Sequence, residues 1–467
     1  MASESTAMQG YLPNDRPPWG RTILLGFQHV ITMFPATVFV AAFTGFHVGT
    51  VLLFSGVSTV VALLLSKNRI GSFIPLFYGS SFSYIAAYLA VAVAMTGDVP
   101  TFGVPLPNDV LSTIQAGIVV TGILNIIVGF VIRRLGKDSL DKVLPPVVTG
   151  SVAAIIGFGL AFAALDLAAV NMLVALFALL ITVLFSVYLQ GRGFIGMLPI
   201  LLGAITAIIF SAIVDAGSVN TAAVANAEWI VVPTITFPWN AVSEYVLFAV
   251  VSVSIMAIAT IPESTAHLYQ ISLYVDRFAE EIGKPKYNLD KFIGFNLIFD
   301  GIGDFINGLF GATAGTNYGE NNSLMAITRN YSGPALLAAG VIAVLLGFVG
   351  KLAALVAMVP LAVTGGLSIY LFGTIGMQGI ALMQEHHVSM FNPRNLAVGA
   401  TIMVVGIGGN IGFAGGFLPI TVGEVFPDGI PAIAAAAVLG ILMNAIFLVF
   451  TPPEGAQISE TATSAAD

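Results

Sequence analysis

The sequence predicts an all-α polytopic membrane protein. Its fourteen transmembrane segments form two inverted seven-helix repeats, with short extended strands in the broken spans 3 and 10. Three observations predict this class. The 467 residues are 57% hydrophobic and 9% charged, where a soluble domain carries about 25% charged residues. Apolar stretches such as AGIVVTGILNIIVGFVI and LVALFALLITVLFSVYL recur along the chain. Three short motifs occur twice, in the same order in both halves.

A bilayer core about 30 Å thick needs roughly 20 apolar residues per helix. The spans fall at 21–43, 47–66, 70–95, 112–133, 144–165, 168–190, 194–214, 241–268, 290–309, 313–329, 334–350, 353–376, 395–413 and 428–450. Before them, residues 1–20 form a polar, proline-containing cytoplasmic segment without the apolar core and cleavage site of a signal peptide. After them, 451–467 (TPPEGAQISETATSAAD) reads as a short disordered cytoplasmic tail. The absence of cysteine excludes disulfides, thiolate metal sites and a cysteine nucleophile.

Charge tests the count independently, because short cytoplasmic loops collect Lys and Arg. With both termini inside, the cytoplasmic segments hold Arg16, Arg21, Lys67, Arg69, Arg133, Arg134, Lys137, Lys142 and Arg192. They also hold Arg277, Lys284, Lys286, Lys291, Arg329 and Arg394, so that only Lys351 of the sixteen cations falls outside. The opposite loops carry acids, among them Asp98, Asp109, Asp166, Asp215, Glu228, Glu424 and Asp428.

The repeat pairs YGSSFSYIA (78–86) with YGENNSLMA (318–326), VGFV (128–131) with LGFV (346–349), and LPPVVTGSVAAIIGFG (144–159) with VPLAVTGGLSIYLFGT (359–374). On the span count these are spans 3, 4 and 5 against 10, 11 and 12. A repeat of an odd number of spans places its second copy upside down, as in many secondary transporters. Spans 3 and 10 each open on a glycine-rich stretch, GSFIPLFYGS and GATAGTNYGE, before a short apolar segment. Each is therefore extended first and helical second, with the two half-helix N-termini meeting near the midplane. Irregular backbone at that depth survives only inside protein or against a cavity, and the free N–H groups at the helix starts favour electronegative atoms. The polar run at 320–323 is accordingly one wall of a substrate site.

Ionisable residues inside a membrane mark function by default, including proton relays. Glu320 opens the second half-helix; Glu263 lies in span 8 with His267 one turn later on the same face. Gln28 and His29 lie in span 1, the repeat mate of span 8. The competing reading for both histidines is a plain interhelical hydrogen bond. Asp300 and Asp304, near the end of span 9, are packing or coupling residues, and Tyr318, Phe82, Tyr84 and Tyr370 are either packing or a stacking surface for a flat ligand. Two carboxyl groups and two sets of helix-terminal amides suit a small planar molecule with N–H donors and carbonyl acceptors, and would repel a simple anion. An intramembrane protease would need paired Asp, Ser-His or HExxH. HExxH is missing, and Asp300 and Asp304 sit four apart on one helix, so the chain reads as a transporter and not an enzyme.

These residues resemble the nucleobase–ascorbate transporter family (nucleobase:cation symporter 2), and within it the bacterial uracil permease branch. The family signature opens on Gln, Glu or Pro, then Asn, one residue, Gly, four residues, Thr and often Arg. It reads here as Glu320-Asn321-Asn322-Ser323-Leu324-Met325-Ala326-Ile327-Thr328-Arg329. QHVITMFPATV (28–38), YGSSFSYI (78–85), LPPVVTG (144–150), the PE…H pattern of span 8 and NPRNLAVGATIMVVGIG (393–409) match as well.

The resemblance implies core-domain spans 1–4 and 8–11 (21–135 and 240–350) and gate-domain spans 5–7 and 12–14 (140–215 and 352–450). It also implies proton-coupled nucleobase uptake across the cell membrane by elevator movement of the core, with H+ as coupling ion and no other cofactor, and a homodimer joined through the gate; nothing in it points to nucleic acid. It assigns base binding to Glu263 and Glu320, backbone amide contacts to Phe82 and Gly319, and an aromatic neighbour role to Tyr318. Proton coupling falls to Glu263 and His267, and a bond from His29 to Asn321 joins Gln28 and Ser81 in support. Glu rather than Gln at position 320 is similar to the uracil branch. Ser323 departs from the family Gly, which leaves xanthine or another purine, or thymine, as alternatives to uracil; an anion exchanger of the same architecture is the remoter one.

Overall fold

In the computed structural model, residues 10–136, 142, 144–215, 217–423, 426 and 429–450 are described. Expectations for residues 1–9, Lys137, Glu424, Asp428 and the tail at 451–467 lie outside them. The first half runs through helices α1 (Trp19–Phe43) and α2 (Val48–Ile70), strand β1 (Tyr78–Ser80), α3 (Ile85–Thr96) and α4 (Asn108–Leu135). It continues with α5 (Pro146–Gly159), α6 (Ala161–Ala169), α7 (Met172–Tyr188) and α8 (Pro199–Val214). After a short α9 (Thr221–Asn226), the second half holds α10 (Ser243–Ser254), α11 (Ala257–Glu281), α12 (Ile293–Phe310), strand β2 (Gly315–Asn317) and α13 (Gly319–Thr328). Last come α14 (Gly333–Leu346), α15 (Gly350–Ala357), α16 (Leu361–Glu385), α17 (Pro393–Met403) and α18 (Ala432–Val449).

Among the described residues, eight helices are long and apolar enough to cross a membrane, and four shorter apolar helices accompany them. Each of the fourteen predicted spans contains helix, but several bounds move. The helix of span 8 runs past the predicted bound at 268: α10 and α11 form one 39-residue stretch to Glu281. Its last turns bury Leu268, Ile271, Val275 and Phe278, a helical spacing hidden by the intervening charges. Span 12 begins at Leu361, not 353, because α15 is a separate helix and Pro360 caps the next one. Span 5 is divided at Leu160 between α5 and α6.

Glycines set the helix spacing. On α4, Gly122 and Gly129 face Gly301 and Gly294 of α12; on α2, Gly49 and Gly56 face Gly347 and Gly340 at the C-terminal end and along α14. A Cβ on any of these eight would lie 2.4–3.0 Å from a backbone atom of the opposite helix, so each interface closes to backbone contact. The glycines recur every seven residues, about two helical turns, and thus stay on one face. The two interfaces are repeat mates, spans 4 and 9 against spans 11 and 2. A third glycine seam joins α5 (Gly150, Gly157) to α16 (Gly376, Gly379).

The inverted repeat meets at a two-stranded antiparallel ladder, with Tyr78 opposite Asn317, Gly79 opposite Thr316 and Ser80 opposite Gly315. Left-handed glycines release each chain from the preceding helix, Gly71 (φ 80°) after α2 and Gly311 (φ 89°) after α12. The structure corrects the predicted register of this repeat. Tyr78 opens β1, whereas Tyr318 follows β2, so the strand-to-helix junctions equate Ser81 with Tyr318 and Phe82 with Gly319. The shared Tyr-Gly pair is three residues out of structural step. The LPPVVTG and VPLAVTG motifs do coincide, with Pro145 and Pro360 both preceding the first helical residue.

Candidate functional site

The ladder presents two helix starts to each other. On the first-half side, Ser81 is buried and caps the turn Phe82–Tyr84, accepting from the Ser83 N–H at 3.2 Å, while its own N–H donates to the Ala314 carbonyl at 3.0 Å. The Phe82 ring stacks on Phe39 at 6.0 Å, and Phe39 also meets Phe372 of α16 edge-on at 6.2 Å. On the second-half side, Gly319 begins α13 and Glu320 stands in its first turn with an exposed side chain. Ser323, one turn on, is exposed as well and donates to the Gly319 carbonyl at 3.1 Å.

Span 8 flanks α13. Glu263 is half-buried, follows the in-helix Pro262 and lies on α11, which packs against α13, the carrier of Glu320. Neither carboxylate belongs to an ion pair among the described residues; those pairs involve Glu280, Glu281 and Asp15. His267 abuts the helix start, since a Cβ on Gly319 would lie 2.9 Å from its Nε2. Its carbonyl accepts from Asn322 Nδ2 at 3.0 Å, and its buried Nδ1 has no partner among the described residues. Span 1 flanks the other side. Asn321 Nδ2 lies 3.1 Å from both Nδ1 and the carbonyl of His29, which is 1% exposed. Among the described residues, no donor reaches the buried Gln28 Oε1, Asn321 Oδ1 and Asn322 Oδ1. Buried acceptors without a protein donor can take up N–H groups; Asn321 lies toward span 1 and Asn322 toward span 8.

Tyr318 occupies a different place from a free stacking surface. It is 4% exposed, its hydroxyl donates to the Ser80 carbonyl at 2.8 Å and is bonded to Thr37 Oγ1 at 2.9 Å. Its ring covers Gly79, where a Cβ would come within 2.4 Å of Cζ. The ring therefore braces the crossover.

Two buried aspartates of α12 hold the scaffold, and only a packing-or-coupling choice was readable for them from sequence. Asp304 accepts from the Tyr78 hydroxyl at 2.5 Å, Asn125 Nδ2 at 2.8 Å and the Gly315 N–H at 2.8 Å. Asp300 accepts from the Ser264 hydroxyl and from Asn317 Nδ2 at 3.0 Å. Asp300 thus joins the residue after Glu263 to the end of β2, linking the carriers of both glutamates. Ser264, Asn317, Asn125 and Thr37 escape sequence reasoning; the only available signal was a small polar residue within an apolar span.

A model of the Permease family matches residues 20–415. The uracil permease of Escherichia coli (strain K12) is 32% identical over 448 residues, covering 93% of each chain. That of Bacillus caldolyticus is 33% identical over 442 residues, covering 92% of this chain and 93% of the relative. Among solved structures, the transmembrane domain of the cyanobacterium bicarbonate transporter BicA aligns with a TM-score of 0.55 at 14% identity, over 93% of this chain and all of that one. SLC26A9 aligns at 0.60 and 12% identity, over 92% of this chain and 65% of that one. At such identities these two likenesses speak for the fold alone.

Proposed function

Because the chain belongs to the Permease family of nucleobase–ascorbate transporters, and is thus a multi-pass membrane transporter rather than an enzyme, we propose that it is a uracil:proton symporter of the cell membrane. The observation that carries this reading is the pair of unpaired carboxyl groups, Glu263 and Glu320, beside two opposed helix starts. The carboxyl groups accept the N–H groups of the base. The N–H groups at Phe82 and Gly319 meet its carbonyl oxygens, helped by the partial positive charge at a helix N-terminus. His267, against Gly319, passes the coupled proton with Glu263. His29 and Asn321 fix the two sides of the site relative to each other.

The proposed movement is an elevator step of core spans 1–4 and 8–11 against gate spans 5–7 and 12–14, with both termini cytoplasmic and a homodimer formed through the gate. Its support is the segregation of packing: α4 with α12 and α2 with α14 on one side, α5 with α16 and α7 with α8 on the other. A purine permease is the second reading, favoured by the exposed Ser323 hydroxyl where the family carries Gly. Anion exchange would oppose two glutamates to a negative substrate. The test is uptake of labelled uracil into proteoliposomes, with and without an inward proton gradient, competed by xanthine and thymine. Gradient-dependent uptake blocked by pyrimidines is expected; uptake blocked by xanthine alone moves the protein to the purine branch, and no uptake removes the reading.

A further inference from the structure

The segment before α1 is built against the C-terminal ends of α11 and α13. The Tyr11 N–H donates to the Arg329 carbonyl at 2.9 Å, and the Tyr331 and Gly333 N–H groups donate to the carbonyls of Tyr11 and Pro13 at 2.8 and 2.9 Å. Ser332 Oγ adds a bond to the Asp15 carbonyl at 2.8 Å. Leu12 is 1% exposed. Asn14 Oδ1 accepts from Lys67 Nζ at 2.9 Å and from the Phe73 N–H at 3.4 Å, at the start of the extended run into β1. Gly10 allows this approach, because a Cβ there would lie 2.2 Å from Phe278 Cζ of α11 and 2.7 Å from the Arg329 carbonyl.

Arg329 is the residue that ends α13, in a left-handed conformation (φ 51°) uncommon for a side chain of this kind. Its guanidinium pairs with Glu281 at the end of α11 at 2.8 Å. One short segment therefore touches the C-terminal ends of both helices whose other parts carry Glu320 and Glu263. It also reaches the lead into the opposite half-helix. At ten residues, α13 is about 15 Å long, so a shift at its C-terminal end is transmitted to Glu320.

We propose that residues 10–15 are a positioning strap that sets α13, and with it Glu320, in the geometry that binds substrate. Its effect on affinity rests on the function proposed above; its hold on α13 does not. The chain has no cysteine, so Met325→Cys, at a fully buried position of α13, reports the helix by maleimide labelling of purified full-length protein. Gly10→Val is expected to raise the labelling rate at least fivefold. Asn14→Leu is expected to weaken uracil binding at least fivefold in folded, monodisperse protein, and Asn14→Asp, which keeps the acceptor, to restore it to within twofold of wild type. Unchanged labelling in Gly10→Val overturns the strap. So does equal binding in Asn14→Leu and wild type. Wild-type protein that binds no uracil refutes the function proposal instead, and the labelling result then decides the strap alone.

Discussion

Tyr318→Phe separates a brace from a ligand contact. The Tyr318 hydroxyl gives its hydrogen to the Ser80 carbonyl at 2.8 Å, so Thr37, 2.9 Å away, donates to it. Once the hydroxyl is removed, Thr37 retains Met33 Sδ at 3.4 Å as an acceptor, whereas the Ser80 carbonyl loses a donor in a buried setting. A group left without its partner costs about 1–3 kcal/mol; the compensation at Thr37 places the expected loss near the lower half, about 1–2 kcal/mol. The ring stays, so its cover over Gly79 is untouched. Thermal melting in detergent should show a lower midpoint for Tyr318→Phe. Thr37→Val should show part of the same loss, with the double variant below the sum because the two share one bond. Uracil affinity should change less than threefold at a temperature where the variant is folded. A tenfold loss of affinity with an unchanged midpoint would refute this reasoning and put the hydroxyl in the site.

Three further outcomes follow from the same geometry. Asp304→Leu strips one acceptor from the Tyr78 hydroxyl, Asn125 and the Gly315 N–H, at a cost of roughly 3 kcal/mol or more; size-exclusion chromatography should recover little monodisperse protein. Gly301→Val sets a Cβ 2.6 Å from the Gly122 carbonyl and should give the same failure, whereas Gly373→Ala, with nothing within 4 Å, should behave as wild type. Ser323→Gly removes an exposed hydroxyl bonded only within its own helix, so stability should hold while the competition of xanthine against uracil changes; an identical competition profile would reduce Ser323 to packing.

How much of this was legible depends on range. Glycine-rich sequence before a short apolar run announced both broken spans, because backbone that leaves a helix inside a membrane needs glycine and a polar neighbour. The prolines at 145 and 360 marked matching helix starts, and the repeat itself held the information that span 12 begins near 361. The crossover register did not follow, because the two tyrosines do similar work from different places: Tyr78, at the start of β1, covers Gly315 and bonds Asp304, while Tyr318, just after β2, covers Gly79 and bonds the Ser80 carbonyl. Side chains that meet across spans, such as Asn317 with Ser264 or Asn125 with Asp304, carry no local pattern. The strap was invisible for the same reason, since its backbone bonds reach residues more than 300 positions away and the Asn14 side chain reaches Lys67 and Phe73.

The central claim is that Glu263 and Glu320, on neighbouring helices, read one planar base. Calorimetric titration of uracil into wild type, Glu263→Gln and Glu320→Ala tests it most directly. Hydrogen bonds to charged groups contribute about 1.5–3 kcal/mol, and each 1.4 kcal/mol is tenfold in affinity. Glu320→Ala is therefore expected to lose detectable binding. Glu263→Gln should bind at least tenfold more weakly, with a pH dependence different from wild type. Wild-type affinity in Glu320→Ala would contradict the account.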